Sequence, residues 1–425
     1  MSEEHALARS IASIVGDDHI RVEPELKIDG VKPALLVRPC SAGEVAACMR
    51  VCSEFGIAVV PAGRMTWLDC GNPTSSADVV LSLDRMRRVI DYSPPDLTAT
   101  VEAGLALSEF NMMTMQERQW LPLDPPGFGC CTVGAIAACN SSGALRLGFG
   151  TPRDYVIGLK LVHADGTESK SGGKVVKNVA GYDMNKLYVG SYGTLAIITE
   201  LTFKLRPLAN RSSTIAITSK DRGPLFQLAK QVLGADLQPA SVVLTRRLFG
   251  SVASSESDDA LLIRFIDSEA AVEHQVEWVI QTIGKNVKAS QLTENEAGAI
   301  WAQVADFEQR ALQVRLSVPL SSVPTVFEKA CLAHSDCVAA ADIGTGIIRL
   351  AFDGNEASAV DQIKRLRASA TGANGTLVIE RASAAVRGEA DAWGDLGSTA
   401  ELMRSIKARF DPQGLLNPGK FVLGL

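Results

Sequence analysis

The sequence has 425 residues, of which 46% are hydrophobic and 21% charged, and its formal net charge at pH 7 is −6. A chain of this length exceeds what one hydrophobic core usually organises, so we expect more than one domain. The acidic balance excludes a general electrostatic attraction to nucleic acid or to anionic lipid. Residues 1–20 lack the pattern of a secretory signal, and no apolar run reaches the ~18 residues of a membrane span, which predicts a cytoplasmic protein.

The nine cysteines and five histidines form no metal-binding pattern. An odd number of cysteines scattered through a long chain favours reduced thiols over a disulfide framework. Cys48 and Cys52 fall on one face of a predicted helix, Cys130 and Cys131 are adjacent, and no Cys-x-x-Cys occurs. The sequence therefore predicts small buried thiols, no iron–sulfur cluster on this chain and no metal site.

The first half of the chain predicts alternating helices and strands. Ser41 and Glu44 form a capping-box pattern, after which apolar residues recur at helical spacing up to Phe55. The Asp165-Gly166 pair predicts a hairpin, because this dipeptide suits turns that match the twist of strands. Strands are predicted at residues 57–60, 78–83, 97–102, 155–163 and 195–205.

From about residue 211 helices alternate with short strands, which predicts an α+β cap of two such units. The predicted helices cover residues 225–233, 270–283, 323–334 and 357–370. The predicted strands cover residues 242–245, 261–265, 312–318 and 346–352. A strand at 377–381 and a helical stretch up to residue 409 precede a Pro/Gly-rich tail, which we expect to return to the first domain.

Residues 121–205 hold small residues at many points where the backbone must approach a ligand closely. Thr132-Val133-Gly134-Ala135 is followed by Asn140-Ser141-Ser142-Gly143 and by Gly150-Thr151-Pro152-Arg153-Asp154. Small side chains let main-chain amides reach an oxyanion or an aromatic ring. Each glycine alone is explained by a turn, but together they favour a buried diphosphate or flavin.

Two further runs, GGKVVKNVAGYD at residues 172–183 and GSYGTL at 190–195, make the pattern recognisable. With the segments above they resemble the FAD-binding domain of the vanillyl-alcohol oxidase and p-cresol methylhydroxylase type. The lysine-rich run ending in Gly-Tyr-Asp resembles the FAD-binding subunits of bacterial glycolate oxidases. The resemblance is strong over residues 31–207 and extends weakly to FDP at 410–412 and NPGK at 417–420.

The resemblance implies an α+β fold with a clasped, extended FAD. It places the FAD-binding domain at residues 1–208, as two α+β subdomains divided near residue 95. An α+β cap domain follows at 209–372, and the segment 373–425 returns to the FAD-binding domain. The isoalloxazine ring of the flavin is expected to face the cap.

The resemblance also implies which residues contact the FAD. They are Pro61, Ala62, Gly63, Arg64, Met65 and Thr66 in a first pyrophosphate loop; Thr132, Val133, Gly134, Ala135, Asn140 and Gly143 in a second stretch; Thr151, Arg153 and Asp154; Ile197 and Ile198 near the adenine; and Asn417 and Lys420 in the tail. The family's first loop is usually richer in glycine. Arg64 could pair with a phosphate oxygen, whereas its bulk opposes close approach of the cofactor.

We expect the FAD to be bound without a covalent bond. Covalent members of the family use a histidine in the first loop or a cysteine in the second stretch. The five histidines, His5, His19, His163, His274 and His334, all lie elsewhere. Cys130 and Cys131 directly precede Thr132, which leaves a thioether link as the alternative.

The catalytic residues are the least defined part of the sequence. Oxidation of a 2-hydroxy acid needs a base for the hydroxyl proton, a cation for the carboxylate and a flavin as hydride acceptor. Related catalytic subunits carry a histidine-rich metal-binding run in their second half, where this chain has only His274 and His334. Arg315, Arg349 and Arg381 are candidates for the carboxylate, with Arg381 first because its strand precedes the tail; each is also explained as a solvent-facing arginine.

Three functions stay open from the sequence. The leading one is an FAD-binding subunit of a glycolate dehydrogenase complex, with a second FAD-linked oxidase subunit and an iron–sulfur subunit that passes electrons to quinone. Such partners would also place the protein at the inner face of the cytoplasmic membrane. The alternatives are a self-sufficient FAD-dependent 2-hydroxy-acid dehydrogenase and an assembly subunit whose flavin fold is chemically idle.

Overall fold

The computed structural model describes residues 3–127, 129–174, 182–248, 258–284, 287–306 and 310–425. Their strands form sheets of four, five, two and eight strands. The four-stranded and five-stranded sheets with their helices make up the N-terminal unit, residues 3–205. The eight-stranded sheet and its helices make up the cap, residues 211–381, and residues 382–425 are the tail.

The first sheet of the N-terminal unit contains a βαβ arrangement, as the sequence predicts. Its elements are α1 (Glu3–Val15), β1 (Ile20–Arg21), β2 (Leu35–Val37), α2 (Ala42–Phe55), β3 (Val59–Ala62) and β4 (Val79–Ser82). The strand order is β1-β2-β4-β3, with β4 parallel to both β2 and β3. The Ser41 hydroxyl caps α2 by accepting from the Glu44 N–H, and Gly56 ends the helix at φ 65°. Cys48 and Cys52 lie on the buried face of α2, as predicted.

The second sheet has the order β5-β6-β10-β8-β9 and is antiparallel throughout. Asp165 and Gly166 form the turn between β8 and β9, with Gly166 at φ 78°, which confirms the predicted hairpin. The elements of this part are β5 (Val89–Ser93), β6 (Thr98–Glu102), α3 (Leu107–Thr114), β7 (Gln119–Trp120), α4 (Val133–Cys139), α5 (Arg146–Phe149), α6 (Pro152–Tyr155), β8 (Val156–Val162), β9 (Glu168–Gly172), α7 (Asn185–Tyr188) and β10 (Ile197–Lys204).

The cap contains one continuous antiparallel sheet, and helices alternate with its strands as the sequence predicts. Its strand order is β15-β12-β14-β13-β17-β18-β16-β19, and each strand is hydrogen-bonded to the next one in this order. Strand β11 (Arg206–Pro207) precedes the cap and pairs with β7. The cap elements are β12 (Arg211–Thr218), α8 (Arg222–Gly234), β13 (Pro239–Arg246), β14 (Asp259–Asp267), α9 (Glu269–Thr282), β15 (Lys288–Gln291), α10 (Glu294–Ala305), β16 (Leu312–Ser317), α11 (Val323–Ala333), β17 (Val338–Asp342), β18 (Ile347–Phe352), α12 (Glu356–Gly372) and β19 (Thr376–Arg381).

Alternation along the cap strands gives the sheet two different faces. One face is aliphatic and packs against α8, α9, α11 and α12 in a single core. The opposite face packs Val243, Leu262 and Ala340 against Ala144 of the N-terminal unit and against Trp301 of α10. Polar side chains of this second face therefore point toward the N-terminal unit.

The tail crosses back onto the first sheet. After α13 (Ala384–Ala390) and α14 (Ala400–Phe410), the chain pairs with β3: the Val59 N–H donates to the Leu415 carbonyl at 2.7 Å and the Asn417 N–H to the Val59 carbonyl at 2.9 Å. Buried Lys407 bonds to Asp411 at 2.6 Å and to the Thr194 carbonyl at 2.8 Å. The last residues are thereby held beside the loop that follows β3.

Candidate functional site

A cavity lies where four distant segments of the chain meet. Thirteen of the residues expected to contact FAD line it, namely Pro61, Ala62, Gly63, Arg64, Met65, Thr66, Thr132, Gly134, Ala135, Ile197, Ile198, Asn417 and Lys420. They come from the loop after β3, the start of α4, the start of β10 and the tail. The structure thus brings the first loop, the second stretch and the tail to one place.

The loop after β3 is packed closely against the start of α4. A Cβ atom on Gly63 would lie 2.2 Å from the Thr132 Oγ1, so only glycine fits there. Met65 has φ 59°, a left-handed conformation that glycine adopts more readily. The Arg64 guanidinium forms an ion pair with Glu109 of α3 at 2.6 Å, so this arginine already has a carboxylate partner.

The start of α4 is fixed by Thr132, whose hydroxyl caps the helix by accepting from the Ala135 N–H. The expected reason for glycine at position 134 needs correction. A Cβ atom there would lie 2.7 Å from the Ala103 Cβ and 2.8 Å from the Ala103 carbonyl oxygen. Gly134 lines the cavity and also allows α4 to pack closely against Ala103, the residue that follows β6.

Six residues expected near the FAD lie outside the cavity, and their cofactor contacts stay predictions. Most of them organise the loops beneath it: the Arg153 N–H donates to Asn140, the Gly143 N–H to Asp124, and Thr151 to Asp154. The six are Val133, Asn140, Gly143, Thr151, Arg153 and Asp154.

Several cavity residues were missed in the sequence. They are Val60, Trp67, Leu68, Cys70, Leu83, Ala103, Ala138, Cys139, Tyr192, Gly193 and Ala196. Tyr192 lies within the GSYGTL run, so its position was available as a signal, and Trp67 and Leu68 directly follow the first loop. Cys70 and Cys139 belong to no sequence motif that would indicate a cofactor site. Burial raises the pKa of the Cys70 thiol to about 12, which keeps it protonated.

The cavity offers unused hydrogen-bonding capacity suited to a polar cofactor. Asn417 is buried and donates from Nδ2 to the Tyr192 carbonyl at 2.7 Å. Its Oδ1 atom has no hydrogen-bond partner within the described part of the chain. A flavin brings N–H and hydroxyl donors, so these residues fit FAD. Cys130 is exposed, Cys131 is buried, and both lie outside the cavity lining.

Two arginines stand side by side on the cap face that points toward the N-terminal unit. Arg315 of β16 and Arg349 of β18 are direct cross-strand partners. They share one carboxylate, Glu380, with Nε-to-oxygen distances of 3.1 Å and 3.5 Å. The Arg349 guanidinium also donates to the Ser142 carbonyl at 3.1 Å. The two guanidinium groups therefore share a single carboxylate in direct contact with them.

The arginine pair and Glu380 lie next to the cavity. The Cys70 thiol, which lines the cavity, lies 4.0 Å from the Glu380 carbonyl oxygen. Arg146 of α5 is a third cation in this region. Burial lowers its pKa, and so does the positive charge of Arg315, which lies nearby. Arg381, the first candidate for the carboxylate, lies instead against Asp69 at 3.6 Å with about a third of its side chain exposed.

Two buried carboxyl groups border the same contact between cap and N-terminal unit. Burial raises the pKa of Asp342 to about 7, and the nearby Thr345 and Gly344 groups offset part of that effect. Burial also raises the pKa of Asp124 to about 6. The carboxylate accepts hydrogen bonds from the Leu145 and Gly143 N–H groups, and these bonds offset part of the rise. Either group changes charge near neutral pH. Sequence reasoning missed both.

The two histidines of the second half lie away from this face. His274 is exposed on α9, and His334 stacks on Phe352 of the helix-covered core with ring centroids 4.1 Å apart. Within the described ranges, no group of three or more His, Cys, Asp or Glu side chains is placed to hold a metal ion. The same residues include no helix long and apolar enough to cross a membrane.

Comparison with known proteins gives matches to both ends of the chain and over most of its length. The family "FAD binding domain" matches residues 33–172, and "FAD linked oxidases, C-terminal domain" matches residues 395–421. The chain is 27% identical to the glycolate oxidase subunit GlcD of Bacillus subtilis, over 91% of this chain and 88% of that protein. It is 28% identical to a D-lactate dehydrogenase of Archaeoglobus fulgidus, over 91% of each. The fold matches p-cresol methylhydroxylase with a TM-score of 0.77 at 15% identity, covering 99% of this chain and 97% of that one.

Proposed function

We propose that this chain, a member of the FAD-linked oxidase family with FAD as its cofactor, is a subunit of a glycolate dehydrogenase complex. In this proposal a small 2-hydroxy acid such as glycolate gives two electrons to the flavin. An iron–sulfur subunit then receives them and passes them to quinone. A second FAD-linked subunit supplies the catalytic base, and the partners hold the complex at the cytoplasmic membrane.

The paired arginines Arg315 and Arg349 are the observation that carries this proposal. Like charges directly opposite in a sheet repel each other, so such a pair is costly unless anions compensate it. Glu380 provides one negative charge for two cations. The carboxylate of a 2-hydroxy acid would supply the second, through the bidentate bonds that guanidinium groups form with carboxylates.

The proton from the substrate hydroxyl is the reason to propose a partner. A positioned base contributes roughly 10²–10⁴ in rate. His274 and His334 lie on the other side of the cap sheet from the arginine pair. A metal-assisted histidine base would therefore have to come from the second flavoprotein subunit.

Asp342 favours the second candidate, a self-sufficient FAD-dependent 2-hydroxy-acid dehydrogenase. Its carboxyl is buried and has a pKa of about 7, so it changes charge near neutral pH. A carboxylate of this kind could accept the hydroxyl proton. Rapid turnover by the isolated chain would distinguish this candidate from the complex.

Arg349→Met and Arg315→Met test the assignment of the carboxylate site. We expect each to weaken binding of oxalate, an unoxidisable dicarboxylate, by about 10- to 100-fold, since a charge-assisted hydrogen bond contributes ~1.5–3 kcal/mol. Binding is measured on the isolated holoprotein from the change in flavin absorbance, and KM for glycolate is measured on the co-expressed complex.

Arg246→Met is the matched control. Arg246 lies on β13 of the same sheet, pairs with Asp259 at 3.8 Å and faces the helices rather than the N-terminal unit. We expect less than a twofold change in oxalate binding for this variant. Equal oxalate affinity in wild type and in both Arg349→Met and Arg315→Met would contradict the proposed substrate site.

A further inference from the structure

Lys420 is a buried lysine that lines the FAD cavity from the tail. Its side chain is 7% exposed, and its Nζ atom donates to Asp29 at 2.7 Å and to the Leu68 carbonyl. An ammonium group has three N–H donors. Among the described residues, two of them have acceptors, and the third has none.

Asp29 holds this lysine in place together with a second buried cation. Its carboxylate is 1% exposed and also accepts from Arg387 and from the Thr74 N–H. Arg387 is fixed in turn by the Gly71 carbonyl at 2.8 Å and the Ala382 carbonyl at 3.0 Å. The cluster therefore has two cations and one anion, and its mobility is low because every member is buried and bonded.

We propose that Lys420 sets the reduction potential of the bound flavin. Its fixed positive charge stabilises the negative charge that the flavin gains on reduction, and Asp29 and Arg387 act as positioning residues for it. The inference rests on FAD as the cofactor and is independent of the proposed 2-hydroxy-acid substrate.

The placement of Lys420 supports this role over a purely structural one. A flavin that takes up two electrons and one proton becomes an anion, so a nearby cation favours the reduced form. Asn417, three residues earlier, lines the same cavity, and its Oδ1 atom has no hydrogen-bond partner among the residues that the structure describes. Cys70 and Tyr192 also line the cavity, and Cys70 lies beside Glu380 of the cap. The charge of Lys420 offsets part of the rise that burial causes in the pKa of the Cys70 thiol, so the lysine also lies on the side of the cavity nearest the cap.

Lys407 provides a matched control within the same segment. It is also a buried tail lysine paired with an aspartate, Asp411, and it also donates to backbone carbonyls. It does not line the cavity. Replacing either lysine by methionine removes one buried charge of similar surroundings, but only Lys420→Met removes it from the FAD site.

The experiment is a dithionite titration of the purified holoprotein against a reference dye, with FAD affinity and thermal stability measured in parallel. We expect Lys420→Met to disfavour reduction on the order of tenfold, because the charge that it removes lines the cofactor cavity. Tenfold corresponds to about 30 mV for a two-electron couple. Lys420→Arg should retain the wild-type potential, and Lys407→Met should lose stability while keeping the potential.

The inference fails if Lys420→Met binds FAD and keeps the wild-type potential. It also fails if Lys407→Met shifts the potential as far as Lys420→Met, since the effect would then be structural. Weaker FAD binding in Lys420→Met without any shift in potential would instead assign the lysine to the phosphates, and that result likewise overturns it. If Lys420→Met does not retain FAD, Lys420→Gln with excess FAD gives the same comparison.

Discussion

The carboxyl group of Asp342 lies in the contact between the cap and the N-terminal unit, and both of its oxygens are buried. Its folded pKa of about 7 lies far above the ordinary value of 3.8, because burial disfavours the charged form. Between these two pH values the folded state binds more protons than the unfolded state. The free energy of unfolding must therefore fall as pH rises from about 4 to about 7.

We predict that Asp342→Asn is more stable than wild type at pH 8 and about equally stable at pH 4. The full shift corresponds to about 4 kcal/mol as an upper bound. Urea unfolding of both proteins at a series of pH values measures the difference. A constant difference between pH 4 and pH 8 would mean that Asp342 does not titrate in this range.

The start of α4 and the loop after β3 form one interlocked element. Gly63 lies so close to Thr132 that an added Cβ would overlap both the hydroxyl oxygen at 2.2 Å and the Cγ2 at 2.9 Å. The Thr132 hydroxyl is at the same time the helix cap. The geometry of the cavity therefore depends on the fit between these two residues.

We predict that Gly63→Ala destabilises the protein by about 1–3 kcal/mol through overpacking and weakens FAD binding. Thr132→Ala loses the cap, which costs about 1 kcal/mol. The double variant should be less destabilised than the sum, by ~0.5–3 kcal/mol, because the second change removes the overlapping atoms. Additive costs, measured by denaturant unfolding of all four proteins, would show that the two residues do not contact each other as described.

Turns and helix caps could be predicted from the sequence, because a few neighbouring residues determine their geometry. The Asp165-Gly166 turn and the Ser41 cap specify their own geometry, and both are confirmed. Strand β5 was missed, because Val89–Ser93 is short, contains no buried residue and lies between two arginines and two prolines. Strand β12, whose buried residues include Ser213 and Thr214, was missed because polar residues interrupt its apolar pattern.

In the whole molecule, the FAD-binding fold can be predicted from the sequence, whereas the arginine pair of the cap depends on strand register. The α+β class and the resemblance to glycolate oxidase subunits are confirmed. Thirteen cavity residues followed from motifs, since those residues are close in sequence within each loop. The pairing of Arg315 with Arg349 did not, because it arises from the register of β16 and β18. A single sequence gives no signal for which residues of separate strands stand opposite each other.

The two faces of the cap sheet have different chemical character: one carries the hydrophobic core of the cap, and the other carries charged side chains. Its aliphatic face is covered by four helices, while Arg315, Arg349 and Glu380 are placed between cap and N-terminal unit. The proposed substrate site and the FAD cavity thus belong to different parts of the chain. The proposed function requires both parts, and it requires a base from a partner subunit.

Dye reduction by glycolate is the measurement that tests this account most directly, with the isolated holoprotein compared with the co-expressed complex. We predict that the isolated chain binds FAD but turns over glycolate and D-lactate at least 100-fold more slowly than the complex, because a missing base costs roughly 10²–10⁴ in rate. A complex whose partner lacks its own histidine cluster should be as slow as the isolated chain. Turnover by the isolated chain at the rate of the complex would contradict the account and assign the base to this chain, with Asp342 as the first residue to replace.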